Sequence, residues 1–521
     1  MSVLAADEAR ASDESNAGAP SPEAARTAAR VIGNPMPADR LRGWVVTLVI
    51  GLIGGLVRLQ NLGSPTDNGS PVFDEKHYVP QAWQMLRNGG YEDNPGYELT
   101  VHPPLGKELI AIGEWLFGYN GWGWRFTGAV CGTLMIIMIV RIARRLTRST
   151  LLGAVAGILL ICDGVLHLQS RTGMLDIFLA FWVLVAFGFM LLDRDQVRSR
   201  LAIAVEEGWA TASLYGPRLG FRWYRFAVGV SLGLALGTKW SGMYFVAGFG
   251  LLSVIWDATA RRAAGVRHPW QGALLRDVLP ALWSFIAVAV LVYLACWAPW
   301  FSSETGIDRY LATKTDHHGW YDFMPQALRA LWQYSGNVLH FHETLVTPKD
   351  NPHPWESKPW TWPMGLRPQL YYYNDTGAAC GTDHCIKATM LIGTPAMWWL
   401  SVPMLAWSLW KTVFRTDWRY AAVLAGYLSG YLPWFLNLDR QMYFFYATPL
   451  AAFLVLGLVL CLGEIGGQLR DGLERRTTGL LVISLYVGLV VANFVWLWPV
   501  LNGDSITDTH WQMEHWLPSW D

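Results

Sequence analysis

Charged residues are scarce in this sequence. Asp, Glu, Lys and Arg make up 15% of its 521 residues, against about 25% in an average soluble protein. Hydrophobic residues make up 52%, the mean hydropathy is +0.23 and there are 30 Trp. Long apolar runs together with many Trp are typical of polytopic membrane proteins, whose Trp side chains gather at the two interfaces. The composition therefore predicts a membrane protein with several spanning helices.

Other features are missing as well. The formal net charge is zero, which gives no indication of nucleic-acid binding. Six Cys in so long a chain do not make a disulfide scaffold. Neither GxxxxGK[ST] nor a GxGxxG after a strand occurs, so nucleotide binding is not indicated. The absence of an internal repeat argues against a transporter built from two related halves.

The N-terminal segment, residues 1–42, is rich in Ala, Ser, Glu and Pro and has no apolar periodicity. This composition predicts a disordered tail on the cytoplasmic side. The segment also lacks the short apolar core of a signal peptide, so the first apolar run is retained as a helix.

The apolar runs predict an all-α polytopic fold with about eleven membrane-spanning helices of roughly 20 residues each. An N-terminal membrane region (43–299) would contain a first outer loop (60–125). A long outer loop (300–387), a C-terminal membrane region (388–500) and an outer tail (501–521) would follow. The predicted spans lie near residues 43–60, 126–142, 151–169, 174–192, 224–240, 241–257, 278–299, 388–411, 419–437, 441–462 and 478–499.

Lys and Arg decide the orientation of these spans. Basic residues concentrate in the segments 141–148, 194–225, 261–276, 411–419 and 470–476. All of these segments lie on the same side as the N-terminus if that side is the cytoplasm, as the positive-inside rule requires. The two long loops and the C-terminus then lie outside.

The first outer loop carries four adjacent ionisable residues in the stretch PVFDEKHYV. Two amphipathic segments that follow, PQAWQML and PLGKELIAIGEWLFG, are too short to span and are predicted to lie in the interface plane. Between them is TVHPPLGK, with His102 and Lys107. Asp74 and Glu75 are therefore expected at the bilayer surface, where a lipid head group and a water-borne substrate can meet. Taken alone, these acids would also suit an ordinary helix N-terminus.

Further ionisable residues occur at the outer ends of other spans. Such residues are costly beside lipid and usually line a cavity. A carboxylate can take a proton from an attacking hydroxyl, and Lys or Arg can stabilise a departing phosphate. Together they indicate transfer from a lipid-linked phosphosugar. The residues are Asp163, Arg171, Asp176, Lys239 and Arg440.

At this point the sequence resembles a known family, the protein O-mannosyltransferases of the GT-C superfamily, and in particular their actinobacterial form. The resemblance covers roughly residues 43–500, although the central outer loop is too short for the β-trefoil insert of the eukaryotic members. The similar segments are FDEKHYV, HPPLGK, the Asp163, Arg171 and Asp176 pattern, TKWSG, HPWESKPWTWPMGLRPQLYYY, GTPAMWWL, and YLPWF followed by RQMYFFYATPL.

The resemblance implies transfer of mannose from polyprenyl-phosphate mannose to Ser or Thr of exported proteins, with inversion at the anomeric carbon. It implies a plasma-membrane enzyme that needs neither a metal nor another cofactor. It also implies Ser/Thr-rich exported polypeptides as acceptors, and the secretion translocon as a further partner.

Asp74 matches the Asp of the family's DE motif and is the predicted general base, with Glu75 as second choice. Adjacent helical residues point about 100° apart, so only one of the two is expected to face the hydroxyl. Arg171 can instead pair with Asp163 or Asp176, since buried ions need partners. The predicted phosphate contacts are Arg125, Arg171, Lys239 and Arg440, and the predicted supporting residues are His102, Lys107, Asp163 and Asp176.

The long outer loop holds His317, His318, His340 and His342, which are predicted to be scattered loop residues rather than a zinc site. Cys380 and Cys385 in the same loop face an oxidising exterior and are predicted to form a disulfide, with a Cys/His metal clip through His384 as the less favoured alternative.

Two other functions fit parts of the pattern. A different lipid-phosphosugar transferase, acting on a glycan or a lipid, would need the same base and phosphate contacts. A transporter or flippase would show repeats and charges along a path through both leaflets.

Topology provides the first testable prediction. A reporter that is active only outside the cytoplasm should work when fused after Gly503 and fail after Gly466, because Arg470, Arg475 and Arg476 hold the intervening loop inside. The reverse pattern of reporter activity would place Asp74 in the cytoplasm.

Overall fold

The computed structural model describes residues 20–93, 101–314, 319–348, 350–376, 379–382, 384–467 and 472–520. The first half of the chain is helical. Its helices are α1 (Pro22–Ile32), α2 (Arg40–Leu59), α3 (Glu75–Arg87), α4 (Leu105–Phe117), α5 (Gly121–Thr147), α6 (Thr150–Ile161), α7 (Gly164–Gln169), α8 (Asp176–Glu206), α9 (Trp223–Thr238), α10 (Gly242–Ala263), α11 (Pro269–Arg276) and α12 (Val278–Cys296).

The second half mixes helices with three short strands. Its elements are α13 (Ala298–Ser302), α14 (Leu311–Lys314), α15 (Gln326–Thr344), β1 (Gln369–Asn374), β2 (Cys385–Leu391), α16 (Pro395–Trp398), α17 (Ser401–Arg415), α18 (Trp418–Tyr431), α19 (Leu450–Ile465), α20 (Leu473–Trp496), α21 (Trp498–Asn502), β3 (Ser505–Thr507) and α22 (Asp508–Glu514).

Each predicted span overlaps one of these helices. Within the described residues, six helices are long and apolar enough to cross a membrane: α2, α5, α8, α10, α12 and α20. The helices α6 and α19 are apolar but shorter. The prediction of a mostly helical, multi-pass membrane protein is confirmed, while the number of spans remains a prediction.

Three details of the predicted secondary structure are wrong. The segment 1–42 is not disordered throughout, because α1 forms and buries Ala28 and Val31. The eighth span was placed from residue 388, but that residue lies in β2 and the helix begins only at Ser401. The outer segments are not free of strands, since the long outer loop and the C-terminal segment together form a three-stranded sheet.

Local sequence explains how the helices of the first outer loop are held. Asn120 caps α5, its side-chain oxygen accepting hydrogen bonds from the backbone N–H groups of Trp122 and Gly123. Gly113 on α4 contacts Gly123 on α5 so closely that a Cβ on either residue would collide with backbone. Small residues allow such close helix packing, and this contact fixes α4 against α5.

Ion pairs gather at one end of the helical bundle. Arg222 lies between Asp193 and Asp257, and Arg261 pairs with Asp277 at 2.8 Å. Asp193 lies seventeen residues after Asp176, the first residue of α8, which corresponds to about 25 Å along that helix. The basic segments and Asp176 therefore occupy opposite ends of the bundle.

The sheet joins two distant parts of the chain at the Asp176 end. β1 pairs with β2 and β2 with β3, both antiparallel, in the order β1-β2-β3. The ring of Tyr371 in β1 stacks on that of Phe73, with 4.0 Å between the ring centroids. The first outer loop, the long outer loop and the C-terminal segment therefore lie on the same side of the bundle.

A disulfide joins Cys380 to Cys385, the first residue of β2. A ring that closes so few residues stabilises the folded state by roughly 2 kcal/mol, less any strain. Replacing both Cys by Ser should therefore leave the protein folded and inserted, with a small fall in its thermal midpoint. Mass spectrometry of the alkylated, non-reduced protein should show both thiols protected; alkylation of both without reduction would contradict the bond.

Candidate active site

Asp74 lies immediately before α3 and is half-buried. Within the described part of the chain its carboxylate makes no hydrogen bond and no ion pair. Burial raises the pKa of Asp74 to about 6; the positive charge of Lys239 opposes this rise and the negative charge of Asp176 adds to it. A carboxylate without a partner, with a pKa just below neutral, is suited to accept a proton.

Glu75 differs from its neighbour because both of its oxygens are fully occupied. One accepts hydrogen bonds from Arg125 Nε and the Gly173 N–H, each at 2.7 Å. The other accepts from Arg125 Nη2 at 2.8 Å and the Val72 N–H at 3.1 Å. The structure therefore argues against Glu75 as the base, because no lone pair is left for a substrate proton.

Arg125 is equally committed. Besides the two bonds to Glu75, it donates to the carbonyl oxygens of Leu62, at 3.2 Å, and Pro65, at 2.8 Å. Its side chain is buried. The predicted contact of Arg125 with a phosphate is therefore corrected: this residue connects the start of the first outer loop to Glu75.

Lys239 directly follows α9, and its positive charge lowers the pKa of Asp74, against the effect of burial. Its ammonium group lies 2.9 and 3.0 Å from the two carboxylate oxygens of Asp176. The same group lies 5.2 Å from the ring centre of Phe445 and 5.1 Å from that of Tyr446. The pair is buried, so its charges act on Asp74 through a medium of low dielectric constant.

A second group of polar side chains continues from Lys239. The rings of His102 and His342 are 5.9 Å apart, and Arg440 donates to the backbone oxygen of His342 at 2.9 Å. Burial lowers the pKa of His342 to about 4, and Arg440 and Lys239 contribute to this shift. Burial, followed by the charge of Lys239, lowers the pKa of His102 well below its ordinary value. Both imidazoles are therefore neutral at physiological pH.

Arg440 retains donor capacity for an anion. One terminal nitrogen bonds the His342 carbonyl and the other lies 3.2 Å from His342 Nδ1, which accepts because guanidinium only donates. Its Nε has no partner among the described residues. Of the four predicted phosphate contacts, Arg440 is the one with an unused buried donor of this kind.

The predicted pairing of Arg171 with Asp163 or Asp176 is wrong. Arg171 donates to the backbone oxygen of Arg58, in the last turn of α2, at 2.7 Å, and to that of Gln60, just beyond α2, at 2.6 Å. Asp163 instead caps α7 through the Leu166 N–H and accepts from Trp398 Nε1 at 2.7 Å. These residues hold helices together, and the Arg171 guanidinium is largely occupied.

Lys107 forms an ion pair with Glu92, and both residues are buried. They line a small cavity that also touches His102 and is walled by Trp297, Trp300 and other aromatic side chains. Lys107 therefore helps to form the cavity wall next to His102, which is the supporting role left to it.

Three Tyr residues of this region were not singled out from the sequence. Burial and the negative charges of Asp74 and Asp176 raise the pKa values of Tyr78 and Tyr371, so both keep their hydroxyl protons. The charge of Asp74 also acts on Tyr443. Tyr371 belongs to the segment YYY and Tyr443 to RQMYFF, both of which lie in the regions similar to the family. A run of aromatic residues does not show which of its rings lies near a carboxylate.

His317 and His318 lie outside the described residues. Within the described ones, no three His, Cys, Asp or Glu side chains are grouped so that they could hold a metal ion. The prediction that the His residues of the long outer loop are scattered is wrong for His342, which lies beside His102 and Arg440.

Two family models match the chain. One, described as dolichyl-phosphate-mannose-protein mannosyltransferase, matches residues 120–304. The other, described as the C-terminal four-transmembrane region of protein O-mannosyltransferase, matches residues 327–520. Together they cover most of the membrane region predicted from the sequence.

Curated relatives extend this likeness over nearly the whole chain. The polyprenol-phosphate-mannose–protein mannosyltransferase of Mycobacterium tuberculosis H37Rv is 56% identical over 485 residues, which is 93% of each chain. The protein of the same name from Corynebacterium glutamicum is 44% identical over 488 residues, covering 92% of this chain and 93% of its own.

The solved Saccharomyces cerevisiae Pmt1–Pmt2 complex, with its sugar donor bound, has a similar fold. The TM-score is 0.71 at 15% identity, over 97% of this chain and 95% of that one. This likeness confirms the GT-C-type fold class predicted from the sequence. With relatives this similar along its whole length, the chain belongs to the protein O-mannosyltransferase family.

Proposed function

We propose that this protein transfers mannose from polyprenyl-phosphate mannose to Ser or Thr hydroxyls of exported proteins, on the outer face of the plasma membrane. Donor and acceptor class follow from the names of the relatives that are 44–56% identical to this chain. The sugar donor bound to the yeast complex of the same fold supports the same reading. The observation that carries the mechanism is the unpaired, shielded carboxylate of Asp74 beside a buried cation.

Asp74 acts as the general base. It accepts the proton of the acceptor hydroxyl as that oxygen attacks the anomeric carbon of mannose. The bond from that carbon to the phosphate oxygen breaks in the same displacement, which inverts the anomeric configuration. Glu75 supports Asp74 without taking part, because its oxygens are occupied by Arg125 and two backbone N–H groups.

Lys239 and Arg440 stabilise the departing polyprenyl phosphate. A charge-assisted hydrogen bond to a phosphate oxygen is strong where water is excluded. Arg440 carries a positive charge that no carboxylate in the described part of the chain pairs with, and Lys239 balances Asp176 beside the reaction centre. Because phosphate leaves as an anion, the reaction needs no second carboxylic acid to protonate it.

The membrane orientation belongs to the same proposal. The N-terminus is cytoplasmic and the Asp74 site extracytoplasmic, which agrees with the Arg-rich segments at the opposite end of the bundle. Acceptors would then be polypeptides emerging from the secretion translocon, an association that remains a prediction from the family resemblance.

Replacing Asp74 by Asn tests the base. Transfer from radiolabelled polyprenyl-phosphate mannose to a Thr-rich peptide should fall by about 10²–10⁴-fold, since a positioned base typically contributes this much. The thermal midpoint should stay near that of the wild type, because the Asp74 carboxylate makes no bond within the described residues that Asn would break.

Glu75→Gln is the matched comparison. It breaks a buried bidentate pair, which typically costs about 3–5 kcal/mol, so its thermal midpoint should fall clearly. Wild-type turnover in Asp74→Asn, with Glu75→Gln folded but inactive, would mean that Glu75 is the base instead.

The pH dependence tests the same carboxylate. Asp74 must be deprotonated to act as a base, and its pKa is raised to about 6. The kcat/KM for peptide should therefore fall about tenfold per pH unit below pH 6 and level off above it. A rate independent of pH between 4.5 and 7 would exclude titration of Asp74 as the source of the acid limb.

A further inference from the structure

One edge of the outer sheet is open. β1 is the terminal strand in the order β1-β2-β3 and is hydrogen-bonded to β2 alone. In the described part of the chain, no backbone hydrogen bond connects residues 369–374 to any other segment. An unpaired strand edge presents a row of N–H and C=O groups that can pair with another extended chain.

This edge borders the reaction centre. The side chain of Tyr371 is buried, stacks on Phe73, and lies close enough to Asp74 and Asp176 for their charges to act on it. Phe73 directly precedes Asp74 in the chain. A peptide lying along β1 therefore passes next to the base.

An irregularity in the pairing occurs at the same residue. The register with β2 shifts between Leu370, opposite Met390, and Tyr372, opposite Thr389, so Tyr371 has no partner on β2. Such bulges redirect a side chain and often occur beside active sites. Here the bulge lies at Tyr371, the residue whose ring stacks on Phe73.

Towards its C-terminal end, β1 has a solvent-exposed side chain. Tyr373 is 45% exposed and contacts Trp511 of the C-terminal segment, with 6.0 Å between the ring centroids. Exposure along β1 therefore rises from the buried Tyr371 to the accessible Tyr373, so a segment paired with this strand would extend from the site to solvent.

We propose that an extended segment of the acceptor polypeptide pairs with the free edge of β1 as a fourth strand and so presents its hydroxyl to Asp74. This inference rests on the proposed function and names how its acceptor is held. Recognition through main-chain hydrogen bonds places few demands on the acceptor's side chains. The enzyme would then select extended, hydroxyl-bearing segments rather than a strict sequence.

Backbone N-methylation of the acceptor tests the proposal without altering the protein. The probe is a short synthetic peptide with one Thr and no Pro, made as a series in which one amide after another is methylated. In an extended strand, the N–H groups of successive residues point to opposite sides. If the peptide pairs with β1, methylation removes a hydrogen bond to β1 only at every second residue. Peptides methylated at the intervening residues are the matched controls.

We expect peptide KM to alternate along the series. It should rise about fivefold or more at every second residue, the equivalent of one lost backbone hydrogen bond, and stay unchanged at the others. The KM for polyprenyl-phosphate mannose should not change in any case, because the donor does not use this edge.

Two other results are distinguishable. If the unmodified peptide is mannosylated but methylation has no effect, or the same effect at every position, the strand pairing is excluded and the proposed function stands. If the unmodified peptide accepts no mannose while the enzyme is folded and donor is present, the proposed function fails and this inference with it.

Discussion

The buried ion pair between Glu75 and Arg125 fixes the position of the segment that carries Asp74. Arg125 projects from the start of α5 and bonds two carbonyl oxygens of the loop that follows α2, while Glu75 also accepts the Gly173 N–H just before α8. One pair thus joins three helical segments to the residue next to Asp74. A buried pair is costly to desolvate and is retained only when its remaining donors and acceptors are satisfied, as these are.

The electrostatics of the site follow from which acids have partners. Glu75 and Asp176 are each neutralised by a cation, so Asp74 is left as the carboxylate whose charge is not directly compensated. Removal from water alone would favour its protonated form, and Lys239 limits that tendency. The neutral His102 and His342 add no further positive charge between Lys239 and Arg440. In the described part of the chain, Asp74 therefore lies in the electric field of Lys239 without forming an ion pair with it.

The small sheet gives this membrane protein an ordered outer surface. It connects the long outer loop to the segment after the last spanning helix, and Tyr371 connects it to Phe73. The disulfide closes the turn that leads into β2. The sheet therefore lies beside the segment that carries Asp74, since Phe73 directly precedes that residue.

The sequence by itself determined the membrane class, the approximate positions of the helices and the group of residues from which the site is drawn. Apolar runs and the distribution of Arg can be recognised without knowing the tertiary structure. A spanning helix makes its backbone hydrogen bonds within its own segment, so each span can be predicted from its own residues. The DE, HPP and SKPWTWP segments likewise mark the family without a structure.

Only the tertiary structure decided that Asp74 is free while Glu75 is occupied, since the two acids are neighbours in sequence and the difference is made by Arg125 and Gly173, 50 and 98 residues away. The same applies to Arg171, which bonds carbonyl groups more than 100 residues earlier, and to the sheet, whose three strands come from two outer segments. Hydrogen bonds between distant segments depend on how the helices pack, and no local pattern of residues records them.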